Sequence, residues 1–427
     1  MGLASDIRKA RGLLRKVLDN RSAVRQVRTM RTPLPVGRFR VGVYFADGAV
    51  NLYQMRQWYK PLQKLAETWP VLVLSRNATS AAAIMTESEL PVAFVPTVRD
   101  LERVVAAQGL RIVLYVNQNT RNFQMFRYGH RWHVFINHGE SDKMYMTTNQ
   151  FKAYDYALIA GDAARERLGR VLWNYDLDAR TIAIGRPQAD HYSGVLPYTP
   201  DDRTVVLYAP TWEGDRPSAF YGSIASHGEA LASAVLGSAR HRLIYRPHPR
   251  SGVVDREYLA AHRRIVAAIA AANAADPTAQ HVYDDGPELG WQLAAADVAV
   301  VDISAMVYDR LAADRPLLIT RPVDERAAVD TSGYLSACEW LDAADAPRIL
   351  DEVDRLVGDP EAVARLAYWV DHYFGDTSPG APTARFHAAI GRLMDEWDEW
   401  HARAGGDADD AAAQAELDSN AGREEAS

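Results

Sequence analysis

Short apolar runs and amphipathic stretches of 10–15 residues alternate along most of the chain. The clearest run, Val298–Val301, is apolar at every position, which is typical of a parallel strand covered on both faces. Asp302 follows it, and Ser304 is placed to cap a helix that begins at Ala305. Strands that alternate with helices of this length predict parallel sheets with right-handed crossovers.

The alternation starts near residue 39 and begins again near residue 204, after a Gly/Pro-rich turn at residues 185–190. This restart predicts an α/β fold of the GT-B-like kind, with two Rossmann-like domains facing a cleft. The predicted divisions are a basic amphipathic helix and linker (1–36), an N-terminal acceptor domain (37–195), a C-terminal donor domain (196–380), a C-terminal helix (381–403) and an acidic disordered tail (404–427).

The N-terminal helix is predicted over residues 3–30, where apolar positions recur every three or four residues and basic side chains fill the other faces. Such a helix can lie in the headgroup plane of an anionic membrane. The pattern also fits a solvated helix, a helix packed on the domain, or an RNA-contacting arm. We expect the membrane surface to be its partner.

The cysteine count, the lengths of the apolar runs and the net charge exclude several classes of protein. The single cysteine, Cys338, excludes an intramolecular disulfide framework and a zinc–thiolate cluster. No run approaches the roughly 20 apolar residues of a spanning helix, and no export signal is expected. The net charge of −7 includes a basic N-terminus, so the rest of the chain is strongly acidic, which disfavours general nucleic-acid binding.

The first half carries one candidate catalytic loop. His138 ends a predicted strand and is followed by Gly139 and a charged run that includes Lys143. Imidazole titrates near pH 6.5, so His138 could accept a proton from a hydroxyl group at neutral pH. A purely structural histidine is the alternative. A metal site with His130 and His133 is disfavoured because no carboxylate or cysteine partner accompanies them.

The second half carries candidate phosphate-binding groups. Arg246 ends a predicted strand, and His248 stands between two prolines that fix its backbone. An arginine at this place is a natural phosphate clamp, and the helix N-terminus at Ser304 offers free N–H groups to an anion. The alternative is an ordinary strand-ending turn. The Gly-x-Gly-x-x-Gly fingerprint and the Walker loop are absent, which disfavours dehydrogenase and ATPase functions.

These motifs, in this order, resemble the CDP-glycerol glycerophosphotransferases of teichoic-acid and related polymer synthesis over residues 110–390. The residues that carry the resemblance are His138-Gly139 with Lys143, the segments 185–190, 208–212, 246–249 and 296–304, and Arg315-Pro316. The resemblance departs from the family pattern at Asn137, where a tryptophan is common, and at Ala305, where a second serine is usual. At residues 188–189, Gln-Ala stands where the family usually has Arg-Asn.

The resemblance implies an enzyme that transfers a phosphoglycerol or phosphopolyol group from CDP-glycerol or a related CDP-polyol to a hydroxyl of a lipid-linked acceptor, releasing CMP. It implies peripheral attachment at the cytoplasmic face of the cell membrane. The catalytic residues would be His138, as general base, and His248. The donor-binding residues would be Thr211, Arg246, Asp302, Ser304 and Ala305, and the acceptor-binding residues would be Gly139 and Lys143. No cofactor and no metal ion are expected, because the helix N-terminus and basic side chains can replace a cation.

Two other functions are compatible with these motifs. One is a GT-B glycosyltransferase that uses a nucleotide sugar, and the other is a membrane-docked, non-catalytic binding subunit. The sequence leaves open the polyol, the acceptor, the choice between priming and polymerising, the oligomeric state and the role of the acidic tail.

Overall fold

The computed structural model describes residues 18–139, 148–286 and 289–404. Within these ranges it contains one seven-stranded and one six-stranded sheet, and every strand pair in both sheets is parallel. The predicted α/β fold with two Rossmann-like domains is confirmed. The first sheet ends at Ala183 and the second begins at Thr204, on either side of the predicted boundary at residue 195.

The first sheet has the strand order β3-β2-β1-β4-β5-β6-β7. Its strands are β1 (Val41–Phe45), β2 (Val71–Ser75), β3 (Val92–Phe94), β4 (Ile112–Tyr115), β5 (Trp132–Phe135), β6 (Tyr156–Ile159) and β7 (Thr181–Ala183). The helices of this half are α1 (18–30), α2 (Leu52–Arg56), α3 (Tyr59–Ala66), α4 (Ala78–Glu87), α5 (Val98–Ala107), α6 (Asp162–Val171) and α7 (Leu177–Arg180).

The second sheet has the strand order β10-β9-β8-β11-β12-β13. Its strands are β8 (Thr204–Ala209), β9 (His241–Tyr245), β10 (Val282–Tyr283), β11 (Val298–Val301), β12 (Leu317–Thr320) and β13 (Trp340–Leu341). The later helices are α8 (Glu229–Leu236), α9 (Arg256–Ala275), α10 (Trp291–Ala295), α11 (Ala305–Ala312), α12 (Ile349–Gly358), α13 (Pro360–Phe374) and α14 (Ala381–Arg403).

The strands are apolar at successive positions because helices cover both faces of each sheet. In β11, Val298 and Val300 belong to one apolar cluster, whereas Ala299 and Val301 belong to the cluster on the opposite face. The strand order reverses between β1 and β4 in the first sheet and between β8 and β11 in the second. Ligands of such sheets bind in the crevice beyond the carboxyl ends of the strands at these two points.

Helix α14 returns to the first domain. Phe386, Ile390 and Leu393 are fully buried and join the core cluster of the first sheet. The indole Nε1 of Trp132 donates to the Leu393 carbonyl at 3.0 Å. This helix, which the sequence pattern separated from both domains, therefore completes the core of the first one.

The N-terminal helix is described only from residue 18 onwards. Ala23 and Val27 are buried in the core of the first domain. Residues 18–30 therefore pack on this domain, which was one of the alternatives to a helix at the membrane surface. Arg21, Arg25 and Arg28 are exposed on the other side. The first seventeen residues and the predicted acidic tail from residue 405 lie outside the described ranges. Within those ranges, no helix is both long and apolar enough to cross a membrane.

From its apolar spacing, the segment 52–68 is predicted to form one helix, but the structure has two, α2 and α3, and the chain turns between them at the buried Trp58. The Trp58 side chain is 2% exposed, and its indole Nε1 donates to the Asn137 carbonyl at 2.5 Å. Tertiary packing has overridden local helix propensity here. The break connects this part of the chain to the loop that carries His138.

Candidate active site

His138 lies just beyond the carboxyl end of β5, in a loop whose backbone is fixed by its own side chains. Asn137 adopts a positive φ of 54°, and its side chain accepts from the His138 N–H at 2.8 Å and donates to the Gly139 carbonyl at 2.7 Å. Asparagine is among the residues that tolerate this left-handed conformation best. The residue that replaces the family's common tryptophan thus shapes the loop.

The hydrogen bond made by His138 determines which ring nitrogen carries its proton. Nδ1 lies 3.0 Å from the carbonyl oxygen of Val116, and a carbonyl can only accept, so Nδ1 is protonated. In the neutral ring, Nε2 then carries a lone pair. Nε2 is therefore the ring nitrogen that can accept a proton.

The surroundings of His138 keep the imidazole neutral. Burial, and secondarily the charge of Arg186, lower its pKa from the usual 6.5 to about 4, although the Val116 hydrogen bond opposes the shift. The exposed ring of Tyr53 meets the imidazole edge to face, with centroids 5.8 Å apart. At neutral pH the ring is therefore uncharged and can accept a proton.

The turn after β7 connects this loop to the second domain. Gly185 has a φ of +69°, and a Cβ there would lie 3.0 Å from the Phe374 carbonyl oxygen, so a residue with a side chain would be strained at this position. Arg186 pairs with Asp309 on α11 and donates to Oε1 of Gln57 at 3.2 Å. Asp190 accepts from Thr383 and from Gly380 at the start of α14.

A cavity opens at the carboxyl ends of β5, β6 and β7. Its lining includes Asn137, Gly139, Arg167, Arg186 and Gln188. The side of Gly139 where a Cβ would stand faces Arg186 Nη1 at 3.4 Å. Gly139 thus lies at the cavity wall, and its role in acceptor binding stays a prediction. Lys143, the other one, lies outside the described residues.

Asp302 occupies the strand-order reversal of the second sheet but is fully buried. Its Oδ2 accepts from the backbone N–H groups of Thr211, at 2.7 Å, and Ser223, at 3.1 Å, and its Oδ1 accepts from Thr320 Oγ1 at 2.5 Å. Burial raises its pKa to about 6, although these donors oppose the shift. The carboxylate thus joins the segment after β8 to the end of β12, and the predicted contact of Asp302 with the donor stays a prediction.

Thr211 follows β8 on the other side of the same reversal. Its backbone is held at both ends, since its N–H donates to Asp302 and its carbonyl accepts from Tyr258 at 2.5 Å. The side chain is half-buried, and its hydroxyl has no hydrogen bond within the described residues. Thr211 is therefore presented rigidly at the edge where a phosphate was predicted.

Arg246 and His248 follow β9, the neighbour of β8. The Arg246 guanidinium pairs with Asp284 and donates to the Gly286 carbonyl at 3.1 Å, so it is held in place by the loop after β10. His248 is exposed, and its Nδ1 accepts from the Arg250 N–H at 3.1 Å. In its neutral form His248 therefore carries a proton on Nε2, the opposite tautomer to His138.

Ser304 caps α11 as predicted, with its Oγ accepting from the Met306 N–H at 3.3 Å. Ala305, the first helical residue, is exposed. The structure thus places Thr211 and the α11 N-terminus at the β8–β11 crevice, and Arg246 and His248 in the segment that follows the neighbouring strand β9. His138 and Gly139 stand on the first domain, and the pair of Arg186 with Asp309 connects the two groups.

Three parts of this site could not be read from the sequence motifs. They are the bond of Arg186 to Asp309, the bond of Arg246 to Asp284, and a polar cluster around Asp47 at the β1–β4 reversal. The sequence does show that Asp47 and Asp284 each follow a predicted strand. That position does not reveal which side chain either carboxylate contacts. Across residues 18–139, 148–286 and 289–404, no three His, Cys, Asp or Glu side chains form a group that could hold a metal ion.

Residues 136–325 match the family described as CDP-Glycerol:Poly(glycerophosphate) glycerophosphotransferase. This match confirms the resemblance inferred from the motifs. No curated protein matches the chain.

Solved structures of similar fold include a variant of the wall teichoic acid polymerase TagF, with a TM-score of 0.57 and 12% identity over 93% of this chain and 100% of that one. TagF with CDPG after a 15 minute soak has a TM-score of 0.53 and 13% identity, over 93% and 99% of the two chains. A putative UDP-N-acetylglucosamine 2-epimerase from Listeria monocytogenes has a TM-score of 0.55 and 16% identity, over 84% and 98%. These likenesses show the fold and confirm the predicted GT-B-like arrangement.

Proposed function

We propose that the chain, a CDP-glycerol glycerophosphotransferase-like enzyme, transfers phosphoglycerol from CDP-glycerol, or phosphopolyol from a related CDP-polyol, to a membrane-linked acceptor in teichoic-acid-like polymer synthesis. The acceptor hydroxyl oxygen attacks the β-phosphorus. A new P–O bond forms as the bond from that phosphorus to the bridging oxygen of the diphosphate breaks. CMP leaves with the electron pair, and the hydroxyl proton goes to the enzyme.

The observation that carries this proposal is the hydrogen bond from His138 Nδ1 to the Val116 carbonyl. It keeps the proton on Nδ1 and leaves a lone pair on Nε2, in a ring whose lowered pKa keeps it unprotonated at neutral pH. His138 is in this proposal the general base for the acceptor hydroxyl. Gly139 beside it leaves room for the acceptor chain.

The donor diphosphate is proposed to bind at the β8–β11 crevice of the second domain. Arg246, oriented by Asp284, would contact one phosphate, and His248 Nε2–H would donate to an oxygen of the departing CMP. The N-terminus of α11 at Ser304 would add its free N–H groups. In this proposal, these groups offset the phosphate charge without a metal ion.

The membrane-linked acceptor is proposed to be reached from the cytoplasmic face of the cell membrane. Arg21, Arg25 and Arg28 are exposed along one side of α1, and the opposite side is buried in the domain. Each basic residue near an anionic lipid surface contributes on the order of 1 kcal/mol. The exposed face of α1 therefore supports peripheral attachment.

The test is a comparison of donors with the full-length protein. CDP-glycerol, CDP-ribitol and UDP-N-acetylglucosamine are each supplied with anionic vesicles that carry a glycerol-phosphate acceptor. We expect acceptor-dependent CMP release from a CDP-polyol and no UDP release. UDP release alone would instead establish a glycosyltransferase. A triple variant, Arg21→Gln, Arg25→Gln and Arg28→Gln, should lose vesicle binding while its activity on a soluble acceptor is retained.

A further inference from the structure

The crevice between the carboxyl ends of β1 and β4 holds a polar cluster that the proposed phosphate transfer does not use. Asp47 follows β1, and its Oδ2 accepts from Nδ2 of Asn117, which follows β4, at 2.7 Å. The same Nδ2 donates to Oε1 of Gln54 at 2.7 Å, and Gln54 Nε2 donates to the Tyr53 hydroxyl at 3.2 Å. The cluster therefore crosses the point where the strand order reverses.

The cluster is next to His138. The carbonyl that holds His138 Nδ1 belongs to Val116, the residue immediately before Asn117. The ring of Tyr53, at one end of the cluster, also contacts the His138 imidazole edge to face. The cluster is therefore connected to the proposed base through Tyr53 directly and through the backbone neighbour of Asn117.

The carboxylates of Asp47 and Asp302, which both follow strands, differ in their exposure and in the hydrogen bonds that they accept. Asp302 is fully buried, and both of its oxygens accept from the protein. Asp47 is only half-buried, and its Oδ1 has no hydrogen bond within the described residues. A carboxylate that only joined two loops would not need an open oxygen at the crevice where ligands of such sheets bind.

We propose that Asp47, Asn117 and Gln54 form a subsite for the uncharged polyol end of the acceptor, where they bind the hydroxyl adjacent to the one that attacks. A carboxylate and amide groups hydrogen-bond hydroxyls well, and the charge of Asp47 repels a terminal phosphate. This inference rests on the proposed function, because it takes His138 as the base. It adds the residues that would select a terminal diol over a phosphate-terminated chain.

The experiment removes the same hydrogen bond from the protein and from the acceptor. Two soluble glycerol-phosphate dimers are compared, one ending in glycerol and one ending in 1,3-propanediol, which keeps the primary hydroxyl and lacks its neighbour. Wild type should prefer the glycerol-ended dimer by ~10–100-fold in kcat/KM, the range expected for one hydrogen bond to a charged group. Asp47→Asn should reduce this preference to below ~3-fold, with the KM for the CDP-polyol unchanged.

Asp155→Asn is the matched control. Like Asp47, Asp155 is half-buried and accepts one hydrogen bond, from the His133 N–H at 2.7 Å. It lies at the amino end of the strands of the same sheet, on the side opposite the proposed subsite. This variant should keep the wild-type preference. A preference that survives Asp47→Asn, or its absence in wild type, overturns the subsite.

Binding of the two dimers without donor, measured by saturation-transfer NMR, separates this inference from the proposed function. Asp47-dependent preference in binding, without turnover of any CDP-polyol, leaves the subsite standing and removes the phosphotransferase proposal. Turnover with no Asp47-dependent preference does the reverse. No binding and no turnover overturns both.

Discussion

Arg186, in the turn after the last strand of the first sheet, forms an ion pair with Asp309 on α11 of the second domain. The two side chains are 6% and 4% exposed. Burial raises the pKa of Asp309, and the charge of Arg186 opposes the shift. Since Ser304 caps α11 and Arg186 also lies against Gly139, one interaction connects the proposed acceptor loop to the proposed phosphate-binding helix.

Loss of one partner of this pair should be costly. Asp309→Ala leaves the Arg186 charge buried and uncompensated, so we expect the free energy of unfolding to fall by about 3–5 kcal/mol. Urea denaturation measures the change. Arg165→Ala is the control, because it breaks the exposed pair of Arg165 with Asp178 in the same domain and should cost no more than about 1 kcal/mol. Equal effects of the two variants would mean that the domains are not held by the buried pair.

The pH dependence of the reaction should reflect the lowered pKa of His138. A base whose pKa lies at about 4 is unprotonated throughout the neutral range, so kcat/KM should stay level from pH 8 down to pH 6. Below that, the rate should fall towards the acidic pKa. The same shift contributes stability that is complete above pH 6.5 and is lost as the pH falls through about 4. An inflection in kcat/KM close to pH 6.5 would show that His138 is not buried as described, or is not the base.

The buried carboxylate of Asp302 should matter for stability. Asp302→Ala leaves three donors without an acceptor, those of Thr211, Ser223 and Thr320, and we expect a loss of at least about 2 kcal/mol in unfolding free energy. Thr320→Val removes only one of these bonds and should cost about 1 kcal/mol. Thermal or urea unfolding distinguishes them. If Asp302→Ala is as stable as wild type and only donor binding is lost, the carboxylate contacts the donor after all.

The start of α11 offers a gain-of-function test. Ala305 is exposed at the first helical position, where the resembled family usually has a second serine. Ala305→Ser should add one hydroxyl to the proposed phosphate site and lower the KM for the CDP-polyol by ~2–10-fold. Ser304→Ala should raise that KM and also cost about 1 kcal/mol of stability through the lost cap. A donor KM that responds to neither change would place the diphosphate elsewhere.

The sequence pattern predicted the sheets well, because buried parallel strands require continuous apolar runs, and Val298–Val301 is such a run in the structure. It also placed Ser304 as a helix cap, since capping is a local interaction. It was wrong about the single helix at residues 52–68, which breaks to bury Trp58 against a loop 79 residues away.

The side-chain contacts within the site could not be predicted either, because they also join residues that are far apart in the sequence. Arg186 and Asp309 are 123 residues apart, and no local pattern pairs them. Strand-end position correctly brought Asp302 to the crevice, but only the folded chain shows that its oxygens point inward to Thr211 and Thr320. Position in a parallel sheet predicts the neighbourhood of a side chain, and not the direction in which it points.

The most direct test of the account is acceptor-dependent CMP release from CDP-glycerol by wild type and His138→Ala, under single-turnover conditions at pH 7. Loss of the base should slow release by ~10²–10⁴-fold while the donor affinity is retained, because the proposed donor site lies on the other domain. Near-wild-type release by His138→Ala would contradict the assignment of His138 as the base and, with it, the central claim about this site.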